Sequence, residues 1–306
     1  MKQRAIDKAI KERKIKIEKA RAQAQAVADK AFSIEEIAQA HARYTQCAFD
    51  AALKGRENDA KTAAALDAYR KALSKYGFCE SDFEYTPLCP VCNDTGNDNG
   101  RLCACIRDEY IAILKKECEI DSKARFSFSD CDLNSISDPE QKKRLSSLYK
   151  LMSAYVAKYP NVKTHTLTLF GSVGTGKTCL ASAMARGFVE KGNSAKILSA
   201  YEFNSTMLDA HTSPIAERAH KLHDVFSADI LIIDDLGTEP ILRNVTIEYL
   251  LLTLEERSNR KLSTIITTNL DADGLLNRYG ERIYSRLCDK KHSVLFELSG
   301  NDLRTH

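Results

Sequence analysis

A glycine-rich run, Leu169-Phe-Gly-Ser-Val-Gly-Thr-Gly-Lys-Thr178, constrains this chain more than any other stretch. It satisfies G-x-x-x-x-G-K-[ST] through Gly171, Gly176, Lys177 and Thr178. An apolar, β-rich run from His165 to Phe170 precedes it, and a helix-forming run from Cys179 to Glu190, closed by Gly192, follows. Strand, loop and helix in that order aim several backbone N–H groups and the positive helix end at one point, which suits a polyphosphate. The pattern predicts a nucleoside triphosphate site built from Gly171, Ser172, Val173, Gly174, Thr175, Gly176, Lys177, Thr178 and Cys179. Lys177 is expected as a point charge on the β/γ oxygens, and Thr178 as a hydroxyl ligand of Mg²⁺.

The chain has 306 residues, enough for two domains or one large domain with an appendage. A net charge of +3 is too small to imply nucleic-acid binding by itself. There is no 18-residue apolar run, and the N-terminus is charged rather than signal-like. A cytoplasmic protein without a membrane partner is therefore expected. In that compartment ten cysteines point to metal or buried thiols rather than disulfides.

Residues 1 to 54 contain neither glycine nor proline and are rich in Ala, Lys, Gln and Glu, a helical composition. The first 30 residues hold ten Lys/Arg against four Asp/Glu, a local net of +6. Ile10, Ile17 and Ala24 recur every seven residues, with Ile6, Ala20 and Val27 between them and Arg13 interrupting the seam. Such a pattern suits a short coiled coil or a partner-binding amphipathic helix, and equally a helix packed on its own neighbour. Gly55 and Asn58 break it, and Ala60 to Tyr76 reads as a further helix ending at Gly77. Helical character returns from Glu109 to Cys118; Asp121 to Pro139 is turn-rich, and a charged helix spans Glu140 to Lys158. Beyond Pro160, short apolar strands alternate with helices, which implies a parallel α/β sheet. The expected division is a helical partner-binding region (1–86), a zinc module (87–118), a linker with a leading helix (119–160) and an ATPase core (161–306).

Cys89, Cys92, Cys103 and Cys105 form C-x₂-C-x₁₀-C-x-C, four thiols within 17 residues among glycines and turn formers. That spacing suits a tetrahedral structural Zn²⁺ with every position filled by protein, whose charge Arg101 and Arg107 would offset. The last pair is tight, which leaves Cys79 and Cys118 as substitutes for Cys105, and free buried cysteines as the alternative to a metal.

Asp229-Ile-Leu-Ile-Ile-Asp-Asp-Leu-Gly237 supplies the acidic strand that such a nucleotide site needs. Asp234 is expected to orient the Mg²⁺ shell and Asp235 to polarise the attacking water. A further strand, Leu262 to Asn269, ends in an amide suited to the γ-phosphate or its water. No N-K-x-D motif is present, which disfavours GTP.

Together the phosphate loop, the I-I-D-D-L-G strand, the T-T-N strand end and Tyr279-Gly-Glu-Arg-Ile-Tyr-Ser-Arg-Leu287 resemble the AAA+ ATPases of the DnaC/DnaI helicase-loader clade. The resemblance covers roughly residues 125 to 306, and the C-P-x-C module extends it toward DnaI-type loaders. It implies a P-loop NTPase that binds ATP, self-associates with it, engages single-stranded DNA and loads the replicative DNA helicase. By the same resemblance Asn269 is the sensor-1 residue and Arg286 the arginine finger, with Arg282 one turn earlier as the alternative. The resemblance places the clade's single-strand DNA-binding insertion near Tyr201 to Ala228, where Arg218 and Lys221 suit phosphates and Tyr201 and Phe203 suit stacking, with core aromatics and solvent-facing cations as the alternative. His220 and His223 are read as surface residues rather than a metal pair.

Two departures shape the expectation. Asp235 stands where many AAA+ proteins carry Glu, which implies a slow, switch-like ATPase. Only eight residues follow Ser293 to Leu298, too few for a separate helical lid, with Arg304 the sole basic candidate there. Nucleotide affinity would then depend more on a partner subunit supplying Arg286. An IstB-like transposition ATPase, or a nucleotide-stabilised adaptor without catalysis, are the rival readings. The zinc module argues against the first, and turnover abolished by Lys177→Ala would exclude the second.

Overall fold

A computed structural model describes residues 1–54, 60–130 and 136–303. Gly55, Asn58, Arg304 and part of the Asp121–Pro139 stretch lie outside the described residues. The chain divides into two compact units, Ala9–Ile106 and Met1–Lys8 with Arg107–His306.

The first of these is helical with a small β-hairpin. Helices α1 (Lys2–Phe32) and α2 (Glu35–Leu53) are separate, broken where Ser33 Oγ donates to the Lys30 carbonyl at 2.7 Å. A serine that bonds its own backbone offers the chain an alternative to the helical ladder. Helix α3 (Ala60–Lys75) packs on α2 around Ala31, Ile37, Tyr69, Ala72 and Leu73. It ends as the sequence predicts. Gly77 takes φ +78°, its N–H reaches Ser74 O, and Phe78 N–H reaches Leu73 O, a Schellman stop. Strands β1 (Asn97–Asp98) and β2 (Arg101–Leu102) then form an antiparallel hairpin around Asn99 and Gly100. Both turn residues have positive φ, the conformation that Asn-Gly turns favour.

The larger unit contains α4 (Ala104–Glu117, from Arg107 onward), α5 (Ile120–Lys123), α6 (Pro139–Lys158), β3 (Thr166–Phe170), α7 (Lys177–Glu190), β4 (Ala195–Ser199), α8 (Ala200–Thr212) and α9 (Ile215–Ser227). There follow β5 (Ile230–Leu236), α10 (Thr246–Asn259), β6 (Ser263–Thr268), α11 (Ala272–Leu287) and β7 (Ser293–Glu297). The five strands run parallel in the order β4-β5-β6-β3-β7. Ile230-Leu-Ile-Ile233 is buried on both faces, as parallel sheets require, and so reads as an unbroken apolar run. From β3 the chain crosses to the far edge and returns through β5 to β6, which lies between the phosphate-loop strand and the acidic strand. The carboxyl ends of β3, β6 and β5 therefore sit side by side, the crevice where open α/β sheets bind ligands.

At the amino end of the central strand β6, Arg257 is fully buried. It donates to the carbonyls of Val225, Ala228 and Ser263 and to Thr264 Oγ1, at 2.6–3.0 Å. Those acceptors replace water around the guanidinium and lock α9, α10 and β6 together. Among the described residues no helix is long and apolar enough to cross a membrane.

Candidate functional site: a nucleotide cradle and a cysteine knuckle

The four predicted cysteines converge. The Sγ atoms of Cys89, Cys92, Cys103 and Cys105 all lie within 4.8 Å of one another, with Cys89–Cys103 at 3.8 Å and Cys92–Cys105 at 3.7 Å. Tetrahedral Zn²⁺ with Zn–S near 2.3 Å requires sulfurs roughly 3.8 Å apart, so the donor set fits that ion. Backbone N–H groups, chiefly that of Cys92, draw the Cys89 thiol down to about 7, whereas burial and the neighbouring sulfurs push Cys105 up to about 12. Cys105 fills the fourth position. Cys79 is instead exposed beside Ser81 Oγ, and Cys118 accepts from the Ala195 N–H at 3.3 Å.

The knuckle rests on Asp94, which sequence reasoning overlooked. Its carboxylate accepts from the N–H groups of Leu88 (2.8 Å) and Cys89 (3.0 Å), from the Tyr85 hydroxyl and from Arg13 (3.0 Å). Arg13, which seemed to interrupt an apolar seam, is thus the counter-charge of a carboxylate only 3% exposed. The signal was the Asp two positions after the second knuckle cysteine, a turn position with φ +62°.

The phosphate loop follows β3, and two glycines explain its composition. Gly171 has φ +135°, and a Cβ there would lie 2.2 Å from the Leu298 carbonyl oxygen, because Leu298 N–H continues the β3–β7 pairing onto Phe170 O. Gly174 has φ +78°, and a Cβ would lie 1.9 Å from Asp302 Oδ1. The segment after β7 lies along the loop, with the Leu303 N–H on Gly174 O at 3.0 Å. Gln141 of α6 anchors that segment in a reciprocal pair with the Asn301 backbone, at 2.9 and 3.0 Å. Lys177 is 6% exposed, and its Nζ donates to the carbonyls of Gly171 (2.8 Å) and Ser172 (2.6 Å).

At the carboxyl end of β5 the ladder with β6 slips: Ile233 pairs with Ile266, and Leu236 with Thr268. Three steps on one strand match two on the other, a bulge that puts Asp235 at φ +60°. The bulge turns the two acids to different partners. Asp234 Oδ1 accepts from Thr178 Oγ1 (3.0 Å) and Thr267 Oγ1 (2.6 Å), while Asp235 Oδ1 accepts from Asn269 Nδ2 (2.9 Å). Thr178, Asp234, Asp235 and Asn269, chosen from three separate motifs, thus meet in one crevice. Thr267 belongs with them and was missed, since only the strand register reveals which residue of T-T-N faces the acids.

Residues 121–294, more than half of the chain, match the family described as IstB-like ATP binding protein. The chain belongs to this family. A stretch of 121 residues is 36% identical to the replicative helicase loader DnaC of Buchnera aphidicola subsp. Acyrthosiphon pisum, covering 38% of this chain and 48% of that protein. Another of 145 residues is 27% identical to the replicative helicase loader DnaI of Bacillus subtilis, covering 47% and 45%. The similarity therefore spans about half the length of these relatives. The crystal structure of DnaI aligns over 60% of this chain and 92% of its own at 26% identity, with a TM-score of 0.45.

Other predicted residues of the IstB-like domain lie apart from the cradle. Arg286 pairs with Glu255 at 2.8 Å in a polar pocket of about 530 Å³ that also includes Lys261, Asp289 and His292. Its carbonyl accepts from Ser293 Oγ, at the amino end of β7 beside Thr166. The phosphate loop leaves the opposite end of β3, about 15 Å away at strand rise. Arg282 is exposed. On α8, Tyr201 is 67% exposed, but Phe203 is 2% exposed in the core with Met207 and Leu222. This corrects the expectation for Phe203: the helix turns it inward, and it offers no stacking surface. Arg218 Nε donates to Ser213 O at 3.0 Å, and Lys221 pairs with Asp209 at 2.6 Å. His220 and His223 are exposed, with His223 beside Asp224.

Proposed function

We propose that this protein is an ATPase that loads a replicative DNA helicase, using ATP as a timer for assembly and release. One contact carries the enzymatic half of the reading. Thr178 Oγ1 meets Asp234 Oδ1 at 3.0 Å, joining the phosphate loop to the acidic strand where a nucleotide-bound Mg²⁺ would sit. Thr178 and Asp234 are the residues to hold that ion, which would neutralise phosphate oxygens. Lys177 binds the β/γ oxygens, Asp235 orients the attacking water, and Asn269 holds Asp235 in place. Since Arg286 lies at the opposite end of the strands from the phosphate loop, it serves the γ-phosphate of a neighbouring subunit, and hydrolysis requires self-association. Asp235 in place of Glu makes that hydrolysis slow.

The helicase as partner rests on the names of the relatives, replicative helicase loaders DnaC and DnaI. The helical N-terminal part, its knuckle held by Zn²⁺ on Cys89, Cys92, Cys103 and Cys105, is the surface assigned to the helicase. Tyr201, Arg218 and Lys221 on α8 and α9 are assigned to single-stranded DNA. The setting is the cytoplasm. The test uses the purified full chain with the replicative helicase and single-stranded DNA. A complex that forms with ATP, and that Lys177→Ala fails to release or recycle, supports the reading. No complex with the helicase, or stable binding to a transposase instead, overturns it.

A further inference from the structure

The loop after β5 buries a carboxylate that the nucleotide chemistry does not use. Glu239 is 2% exposed. A charge so far from water is retained only where partners replace its hydration, so those partners state its task. Its Oε2 accepts the Gly237 N–H at 2.9 Å, and its Oε1 accepts the Tyr279 hydroxyl at 2.5 Å. Arg278 lies 3.8 Å from Oε1 and also donates to the Glu239 carbonyl. Burial, then Glu239 itself, pushes the Tyr279 phenol well above its usual range, so it stays a donor.

Each partner leads to a different end of the domain. Gly237 is two residues beyond Asp235, and the turn between is closed by the Thr238 N–H and Oγ1 on the Asp235 carbonyl, at 3.3 and 2.9 Å. Arg278 and Tyr279 directly precede Gly280, where α11 breaks with φ +80° and ψ 171°. The half of α11 beyond that break carries Arg282 and Arg286. Glu239 is therefore a buried clamp between the acidic end of β5 and the hinge of the arginine-bearing segment.

We propose that Glu239 is a positioning residue coupling Asp234 and Asp235 of one subunit to the way that subunit presents Arg286 to its neighbour. This rests on the reading of Arg286 as a trans-acting group. The clamp gives each subunit a rigid path by which the state of its own ATP site sets the arginine offered next door.

The test uses two full-length variants. A Lys177→Ala chain lacks its own ATP site but still offers Arg286; an Arg286→Ala chain keeps its site but lacks the arginine. Mixed, they are expected to recover ATP turnover that neither shows alone. Adding Glu239→Ala to the Lys177→Ala chain should reduce the recovered turnover about tenfold, within the range of coupling effects. Glu239→Ala in the wild-type chain should leave the affinity for a fluorescent ATP analogue within about twofold. Tyr279→Phe, which keeps the ring and removes one hydroxyl, should give the same donor-specific loss to a smaller extent, and Glu239→Gln should restore part of it. Unchanged recovery with both Glu239→Ala and Tyr279→Phe donors overturns the coupling. So does an equal loss of nucleotide affinity, which would make Glu239 a brace of its own site. If the unmodified pair recovers nothing, the trans role of Arg286 fails, and the coupling with it.

Discussion

One hydroxyl orders both acids of the candidate ATP site: Thr267 Oγ1 donates to Asp234 at 2.6 Å and accepts the Asp235 N–H at 2.8 Å. Thr267 is 1% exposed, so water cannot replace either bond. Thr267→Val keeps the shape, orphans the Asp235 N–H and frees the Asp234 carboxylate to rotate. ATP turnover is expected to fall about 10- to 100-fold, as when an outer-shell partner of a metal ligand is lost. Thr267→Ser should retain most of it. Steady-state hydrolysis by the two variants, with circular dichroism to confirm the fold, checks this.

Gly171→Ala is expected to abolish nucleotide binding. The added Cβ would meet the Leu298 carbonyl at 2.2 Å, a backbone atom held by the β3–β7 ladder. An L-residue at φ +135° adds about 1–3 kcal/mol of backbone strain. Gly280→Ala provides the contrast, since a Cβ there meets nothing within 4 Å and only the backbone term applies. Fluorescent-nucleotide titration and thermal melts of both variants separate collision from strain.

Asp94→Ala is expected to loosen the knuckle as severely as loss of a cysteine. It removes the acceptor of two knuckle N–H groups and the buried carboxylate that pairs with Arg13. Breaking a buried pair from one side typically costs about 3–5 kcal/mol. Elemental analysis should find one zinc per wild-type chain, and metal release to a chelator should be faster for Asp94→Ala.

Stability should fall as pH drops below the usual histidine range. His165 is 6% exposed at the start of β3, where burial, reinforced by His292 and Lys261, lowers its pKa. With the folded pKa below the unfolded one, the unfolded chain binds the proton first. The contribution is therefore fully present above about 6.5 and declines as pH falls through that value toward the folded pKa. Melting temperatures between about pH 7.5 and 5.5 should show this slope, and His165→Asn should flatten it.

The contiguous signals were legible before any fold was known. Gly171–Thr178 between a strand and a helix, two aspartates closing an apolar run, and cysteines in C-x₂-C and C-x-C pairs each depend on neighbours within a few residues. Gly77 as a helix stop belongs with them, because a Schellman turn is a local event. Such patterns are readable because backbone conformation and periodicity are dictated at short range.

The remaining relationships join distant positions. Arg13 reaches Asp94, Glu239 reaches Tyr279, and Thr267 reaches Asp234, across sequence separations of 81, 40 and 33 residues. Phe203 faces the core although Tyr201, two residues earlier on the same helix, faces water. The sequence by itself determined that a triphosphate cradle, an acidic strand and a four-thiol knuckle are present, because each is coded by adjacent residues. Only the tertiary structure decided which side chains orient the acids and at which end of the strands Arg286 stands. Strand order, the β5 bulge and helix packing set those pairings, and they are properties of how the elements meet.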